Sequence, residues 1–168
     1  MKKIILYMAI SLDGFIARKN GSVDWLDKFN NSGEDYGYKE FYDSVDTVVL
    51  GGTTFEQFPE EYKGKNCYVF SRSKKGKKRN AVYVSGKPEE FLKTLKDNEN
   101  VWLVGGANIA NQFLKAGLIN EFILSIIPTI LGEGIRLFND DNKELSLELK
   151  EMKSFDSGLV QIHYKVLK

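Results

Sequence analysis

With 168 residues, 42% of them hydrophobic, the chain is long enough for one domain with a substantial core and too short for us to expect a second. Its 24 basic and 23 acidic side chains leave a net charge of +1, which argues against a general attraction to nucleic acid or to anionic membranes. One cysteine and one histidine are too few for an internal disulfide or a usual zinc site, and no apolar run approaches the ~20 residues that span a bilayer, so we expect a cytoplasmic protein without a metal.

Short apolar runs predict the strands of the chain. The first, at 4–10, is continuous and predicts a strand buried on both faces of a sheet. Similar runs follow at 45–50, 66–70, 81–84, 101–104 and 121–127. The last two segments, 145–152 and 159–167, alternate apolar and polar residues, which predicts an antiparallel hairpin with one wet face.

Helical spacing of apolar residues separates most of these runs. We predict helices over 34–44, 55–58, 88–97 and 109–116. Strands that alternate with helices and then give way to a hairpin are typical of an α/β fold with a mostly parallel sheet and an antiparallel edge.

The first five predicted strands all end in glycine, hydroxylated or other small residues. These ends are Ser-Leu-Asp-Gly at 11–14, Gly-Gly-Thr-Thr at 51–54, Ser-Arg-Ser at 71–73, Ser-Gly at 85–86 and Gly-Gly-Ala-Asn at 105–108. In a parallel sheet such ends lie along one edge, where the ligands of open α/β folds bind. A long groove of N–H and O–H donors suits a dinucleotide.

The segment 101–109 is the clearest of these strand ends. A strand passes through Gly105 and Gly106 directly into a helical pattern, which leaves backbone N–H groups free at the positive end of the helix dipole. This arrangement predicts an anion site, although a tight connection between strand and helix would also use two glycines.

The nucleotide signals differ from those of an ordinary Rossmann fold. There is no Gly-x-Gly-x-x-Gly motif around Gly105, and no acidic residue about 20 positions beyond a glycine-rich first turn. Instead, Arg72 stands between Ser71 and Ser73, and a guanidinium beside hydroxyls can take a phosphate such as the 2′-phosphate of NADPH. The cations from Lys74 to Arg79 are more typical of a solvated hairpin tip.

Five motifs in order carry a family resemblance. They are Ser-Leu-Asp-Gly-Phe-Ile-Ala at 11–17, Val-Asp-Trp at 23–25, Val-Val-Leu-Gly-Gly-Thr-Thr-Phe-Glu at 48–56, Phe-Ser-Arg at 70–72 and Leu-Val-Gly-Gly-Ala at 103–107. The chain resembles the dihydrofolate reductase superfamily, and within it stand-alone proteins similar to the C-terminal reductase domain of the bifunctional riboflavin-biosynthesis deaminase-reductase. The resemblance implies a central, mostly parallel eight-stranded sheet flanked by helices, NADPH as hydride donor, and often a homodimer.

The resemblance also assigns cofactor contacts. It implies that the pyrophosphate is held by Gly105, Gly106, Ala107 and Asn108, and that the second strand approaches the phosphates through Gly51, Gly52, Thr53 and Thr54. Ser71 and Arg72 would take the 2′-phosphate, and Ala9 would lie near the nicotinamide.

Two positions depart from the family pattern, and a third is a candidate for its carboxylate. Gly52 stands where relatives usually have Arg, and Val104 stands where the riboflavin reductase domain commonly has an acidic residue. An ungapped count back from Gly51 places Asp35 where folate reductases have a carboxylate. Asp35 is therefore a candidate for the positioned acid that such a reduction requires.

We therefore expect hydride transfer from NADPH to a C=N or C=O bond of a small heterocyclic substrate, an activity resembling that of 5-amino-6-(5-phosphoribosylamino)uracil reductase of riboflavin biosynthesis. Trp25 would cover the reacting face, Ser11 would position the substrate, and Asp13 or Asp35 would relay a proton, with a simple turn role as the alternative for Asp13. Two other functional hypotheses stay open at this point: a nucleotide-binding module without turnover, and a nucleic-acid binder that uses the cations from Lys74 to Arg79.

Overall fold

The computed structural model describes residues 1–59 and 62–168. Its strands are β1 (Lys3–Ser11), β2 (Phe15–Ala17), β3 (Thr47–Gly51), β4 (Asn66–Phe70), β5 (Gly76–Lys78), β6 (Ala81–Val84), β7 (Asn100–Gly105), β8 (Glu121–Ile127), β9 (Ile135–Arg136), β10 (Leu147–Ser154) and β11 (Val160–Val166). Its helices are a 3-10 turn at Asp24–Leu26, then α1 (Asp27–Asn30), α2 (Tyr38–Ser44), α3 (Gly52–Gln57), α4 (Pro88–Leu92) and α5 (Ala107–Lys115). Within the described ranges, none of these helices is both long and apolar enough to cross a membrane.

Nine of the strands form one sheet in the order β10-β11-β8-β1-β7-β3-β4-β6-β5. From β8 to β6 every neighbouring pair is parallel, whereas β10 and β11 at one edge and β5 at the other are antiparallel. The predicted α/β class, mostly parallel sheet and antiparallel C-terminal hairpin are confirmed. The implied count of eight strands is exceeded, because three residues of the lysine-rich loop fold back onto β6 as β5.

The central strands are buried on both faces, as their continuous apolar sequences predict. Since successive residues of a strand point to opposite faces, Leu6 and Leu103 pack on one side of the sheet and Leu50 and Trp102 pack on the other. On the first side Phe113 of α5 joins the core. Side chains of α2 and α3 cover the second side, which is the side that carries the candidate site.

Helix α2 begins at Tyr38 rather than at the predicted residue 34. Gly37 has φ +77°, a left-handed conformation that interrupts a helix, and the carboxylate of Asp35 accepts the backbone N–H of Lys39 at 3.2 Å. Asp35 therefore lies in the loop before the helix. Helix α4 is also shorter than predicted, since it ends at Leu92 instead of near residue 97.

Strand β10 of the C-terminal hairpin is more exposed than its alternating sequence predicts. All eight of its residues are exposed, so both faces of the strand contact solvent instead of one. The reason is its position, because β10 is the last strand of the sheet and lacks a neighbour on its outer side in the described structure.

Candidate functional site

The two glycine motifs of the sequence meet at the carboxyl edge of the sheet. Leu50 of β3 pairs with Gly105 of β7, and a Cβ placed on Gly51 would lie 3.9 Å from both the oxygen of Gly105 and the nitrogen of Gly106. On the other side of β3, Gly51 pairs with Phe70 at the end of β4. The parallel strands therefore bring the predicted strand ends to one common edge, as the sequence indicated.

Helix α5 starts from this junction without a side-chain cap. Gly106 occupies the N-cap position, its carbonyl accepts the N–H of Ala110 at 3.1 Å, and the peptide bond between Gly105 and Gly106 is cis. The N–H groups of Ala107, Asn108 and Ile109 precede this first intrahelical bond, so they have no acceptor within the helix. They form a group of donors at the positive end of the helix, suited to an anion.

Ser71 and Arg72 lie farther along the same edge. The N–H of Ser71 bonds to the carbonyl of Val84 at 2.9 Å, and its hydroxyl accepts the N–H of Lys74 at 3.0 Å, which fixes the turn. The Arg72 side chain is exposed and has no hydrogen-bonding or ionic partner among the described residues. Lys74, by contrast, forms an ion pair with Glu56 of α3.

The other lysines of this loop behave as a solvated hairpin tip. Lys77 and Lys78 belong to β5, and all three residues of that strand are exposed. The hairpin predicted for the lysine-rich segment is therefore present, with these lysines on its surface.

A cavity of about 760 Å³ opens beside the glycine junction, on the side of the sheet that α2 and α3 cover. Ala9, Thr54 and Gly106 belong to its wall, so three of the residues predicted to bind the cofactor do border one space. Val104, at the position where the resemblance implies an acid, lines it as well. The remaining predicted cofactor residues are not part of this lining and lie at or just after the carboxyl ends of β3, β4 and β7: Gly51, Gly52, Thr53, Ser71, Arg72, Gly105, Ala107 and Asn108.

A group of hydrogen-bonded side chains lies at the cavity wall, and the sequence analysis did not predict it. The amide Nε2 of Gln161 lies 3.3 Å from the Tyr7 hydroxyl, 3.1 Å from the Ser125 hydroxyl and 3.3 Å from the carbonyl of Tyr36. Two amide hydrogens thus serve three acceptors. Burial raises the pKa of the Tyr7 phenol, an effect that hydrogen bonds with Gln161 and Ser125 oppose and the charge of Asp35 reinforces. Tyr7 is therefore protonated at neutral pH.

Asp35 is the predicted acid that the structure brings to the cavity. Asp35 lines the wall together with Glu34, both residues are exposed, and the charge of Asp35 is close enough to influence the Tyr7 phenol electrostatically. The backbone N–H of Lys39 fixes its position at the start of α2.

Ser11 and Asp13 do not line the cavity. Ser11 is fully buried, and its hydroxyl donates to Asp13 at 2.6 Å while accepting the N–H of Phe15 at 2.9 Å. The Asp13 carboxylate also accepts the N–H groups of Leu131 and Gly132, at 3.1 and 2.8 Å. These contacts hold two loops together, so a role for Ser11 or Asp13 in the reaction stays a prediction that this geometry does not support.

Trp25 lies behind the cavity wall rather than over the opening. It is 8% exposed and packs against Phe29 and Leu159, two residues that do line the cavity, but it is not itself part of the lining. The loop before it is, since Val23 contributes to the wall. The expected contact of Trp25 with substrate therefore stays a prediction.

Comparisons with known proteins agree with this arrangement. The family described as the RibD C-terminal domain matches residues 2–161. The chain is 42% identical over 173 residues to the uncharacterized protein YwjB of Bacillus subtilis (strain 168), with 97% of each protein covered. A crystal structure from Shewanella sp. PV-4, named provisionally as a riboflavin biosynthesis protein, superposes with a TM-score of 0.88 at 29% identity and covers 99% of both chains. The fold is shared by a diaminohydroxyphosphoribosylaminopyrimidine deaminase/5-amino-6-(5-phosphoribosylamino)uracil reductase from Thermotoga maritima, with a TM-score of 0.77, 15% identity, and coverage of 99% of this chain and 57% of that one.

Proposed function

Because this chain belongs to the RibD C-terminal domain family, we propose that it is an NADPH-dependent reductase that transfers a hydride to a C=N or C=O bond of a small heterocycle. The observation that carries the proposal is the junction of two glycine motifs beside a cavity of about 760 Å³. A reaction of the same class is named for the Thermotoga maritima protein.

The residues at the junction fit a pyrophosphate. A Cβ on Gly106 would lie 3.4 Å from the Thr54 hydroxyl, so a side chain there would occupy the space between the two motifs. With glycine at this position, the N–H groups of Ala107 and Asn108 are open to an anion. Gly51 and Gly52 allow the backbone of β3 to approach the same group.

Arg72 is the residue we assign to the 2′-phosphate of the cofactor. Gly52 removes the cation that relatives usually have in the second motif, and Lys74 is engaged by Glu56. Arg72 is exposed at the end of β4, next to the Ser71 hydroxyl, and has its guanidinium available. A guanidinium beside a hydroxyl binds phosphate by charge-assisted hydrogen bonds.

The chain's own groups orient the reaction and control a proton. When bound, NADPH supplies the hydride, and the substrate nitrogen or oxygen then needs a proton. Ala9 offers a small side chain where the nicotinamide is expected, and aromatic residues form part of the wall of the same cavity. Among the titratable groups of the wall, we assign the protonated Tyr7 hydroxyl and the Asp35 carboxylate to donate, hold or relay that proton, because the charge of Asp35 acts on the Tyr7 phenol.

A comparison of NADPH with NADH binding tests the cofactor assignment. We expect intrinsic fluorescence titration to show at least ~10-fold tighter binding of NADPH, because one charge-assisted contact with the 2′-phosphate is worth about that much. Arg72→Ala should remove most of the difference, whereas Lys77→Ala, which deletes an equally exposed cation on β5, should leave it unchanged. Equal affinity for the two nucleotides in the unmodified protein would refute the assignment.

A nucleotide-binding module without turnover is the second candidate function. The departures at Gly52 and Val104 favour it, since each removes a charged group that the resemblance leads us to expect. NADPH oxidation with a panel of pterins, pyrimidines and quinones separates the two functions. Tight NADPH binding with no oxidation across the panel would support the module.

A further inference from the structure

The charge of the cavity wall restricts what the cavity can bind. Among the described residues that line it there is no Lys, Arg or His, and the only charged side chains are Glu34 and Asp35. Both are carboxylates. Both are exposed, so they lie where the cavity meets solvent. A phosphate ester beside them would find no cationic partner among the described lining residues, and it would face two negative charges.

Cations near the cavity do not change this. Arg18, next to the wall residue Ala17, is held by Asp24, with Nε and Oδ1 2.6 Å apart. Lys39 is held by Asp43 at 2.6 Å. Lys28 contacts the Phe29 ring, with its Nζ 5.9 Å from the ring centroid, and does not belong to the lining.

Aromatic rings form much of the same wall. The Trp102 ring lies 6.1 Å from that of Tyr7 and 5.9 Å from that of Tyr38, and all three residues line the cavity. Tyr36 and Tyr62 line it as well. Aromatic walls bind planar rings by stacking and edge contacts, and they also favour positive charge over negative charge.

We propose that this cavity selects a planar nitrogen heterocycle that carries amino or ring N–H groups and no phosphate. The ring packs against the aromatic wall at Tyr7 and Tyr38, and its N–H groups donate to the Asp35 carboxylate. The inference rests on the proposed function in placing the substrate in this cavity, but it concerns substrate class alone. It separates this chain from a reductase whose substrate bears a phosphoribosyl group.

A pair of ligands that differ by one phosphate tests the proposal. The full chain is titrated with 5-amino-6-(ribosylamino)uracil and with 5-amino-6-(5-phosphoribosylamino)uracil, with and without NADPH, and binding is followed by intrinsic fluorescence. We expect the form without phosphate to bind at least ~10-fold more tightly, because the phosphate has no cation to pair with in the wall. 2,4-Diaminopyrimidine, which has the N–H donors but no sugar, should bind too.

Asp35→Asn tests the contact with the ring. Asparagine keeps an oxygen that can accept the N–H of Lys39, so the start of α2 is preserved and circular dichroism should be unchanged. We expect the variant to bind 2,4-diaminopyrimidine ~10-fold more weakly, since a charge-assisted bond becomes a neutral one. Asp43→Asn, a change to another carboxylate of the same region that pairs with Lys39 outside the cavity, should bind it normally.

Several results would overturn the proposal. One is equal or tighter binding of the phosphate ester, above all if Lys28→Ala removes that advantage, because the phosphate would then be held at the rim. Failure of both unphosphorylated ligands to bind would also overturn it. Since binding is measured without NADPH as well as with it, a failure of the cofactor assignment leaves this test intact.

Discussion

The side-chain amide of Gln161 lies 3.3 Å from the phenol oxygen of Tyr7, although 154 positions separate the two residues in the chain. The contact joins β11 to β1 across β8, where Ser125 pairs with both Ala9 and Gln161 in the register of the sheet. The amide donates to the phenol oxygen, and Ser125 is a second hydrogen-bonding partner of the same hydroxyl, so the Tyr7 phenol is held at the cavity wall by two neighbouring strands. A buried, oriented and protonated phenol is a group that can donate a proton to a substrate.

We predict that Tyr7→Phe lowers kcat by ~100-fold, a typical contribution of one general acid, and leaves the Kd for NADPH unchanged. Since burial raises the pKa of this phenol above its usual value near 10, kcat of the unmodified protein should show no fall from Tyr7 ionisation between pH 7 and about pH 9. Steady-state kinetics over that pH range, with a substrate that the ligand panel identifies, check both expectations. Tyr42→Phe is the matched control, because the Tyr42 hydroxyl bonds to the carbonyl of Lys63 outside the cavity. A similar fall in kcat in both variants would show that lost packing, not a lost proton donor, is responsible.

We predict that Asp13→Asn lowers the thermal stability of the protein while keeping kcat within about threefold. Asp13 joins two loops outside the cavity, and losing such a contact should change kcat much less than losing a catalytic group does. The hydrogen bond from Ser11 is the main cause of the lowered pKa of the Asp13 carboxyl, and the N–H groups of Gly132 and Leu131 add to it. A carboxyl whose pKa is lower in the folded state stabilises the fold above its unfolded pKa, near 4, and loses that contribution as the pH falls through its folded value.

The difference in Tm between the unmodified protein and Asp13→Asn should therefore be largest at neutral pH and shrink below about pH 4. Melting curves across this range measure it, and Ser11→Ala should show the same trend because it removes the first of the three contacts. A large loss of kcat with an unchanged Tm would instead favour the catalytic interpretation of Asp13.

The sequence predicted the sheet well because its signals are local. A continuous apolar run such as Ile4 to Ile10 has to be buried on both faces, and parallel strands must then bring their ends to one edge. The proximity of Gly51 to Gly106 follows from the burial of these strands and from their parallel order. The helix boundaries were predicted less well, because a conformation such as that of Gly37 is not visible in apolar spacing.

The acid and base groups of the cavity were largely missed, for a physical reason. Tyr7, Ser125 and Gln161 lie on three strands whose order in the sheet is set by tertiary packing, and each is part of an ordinary strand pattern. Asp35 was found only through a family resemblance, since its own neighbours carry no motif. Ser11 and Asp13 show the opposite case: they belong to a recognisable motif, but their polar groups form hydrogen bonds between loops and do not face the cavity.

The uncovered end of the sheet leads to the last prediction, that the chain forms the homodimer its family resemblance implies. On β10, Leu147, Leu149 and Met152 pair with Val166, Tyr164 and Ile162 of β11 and so share one face, because a register shift between Leu149 and Glu151 restores the alternation. Leu149 is 54% exposed and Met152 is 63% exposed, beside an apolar groove of about 270 Å³. An exposed apolar face on an edge strand is typical of a surface that pairs with a second chain.

We expect light scattering after size-exclusion chromatography to give a dimer mass, and Leu149→Lys to give a monomer, because the lysine would place a charge in the apolar contact. Glu151→Lys changes the charge of the same strand outside this apolar row and should leave the dimer intact; a dimer that survives Leu149→Lys, or a monomeric unmodified protein, would exclude this face as the interface.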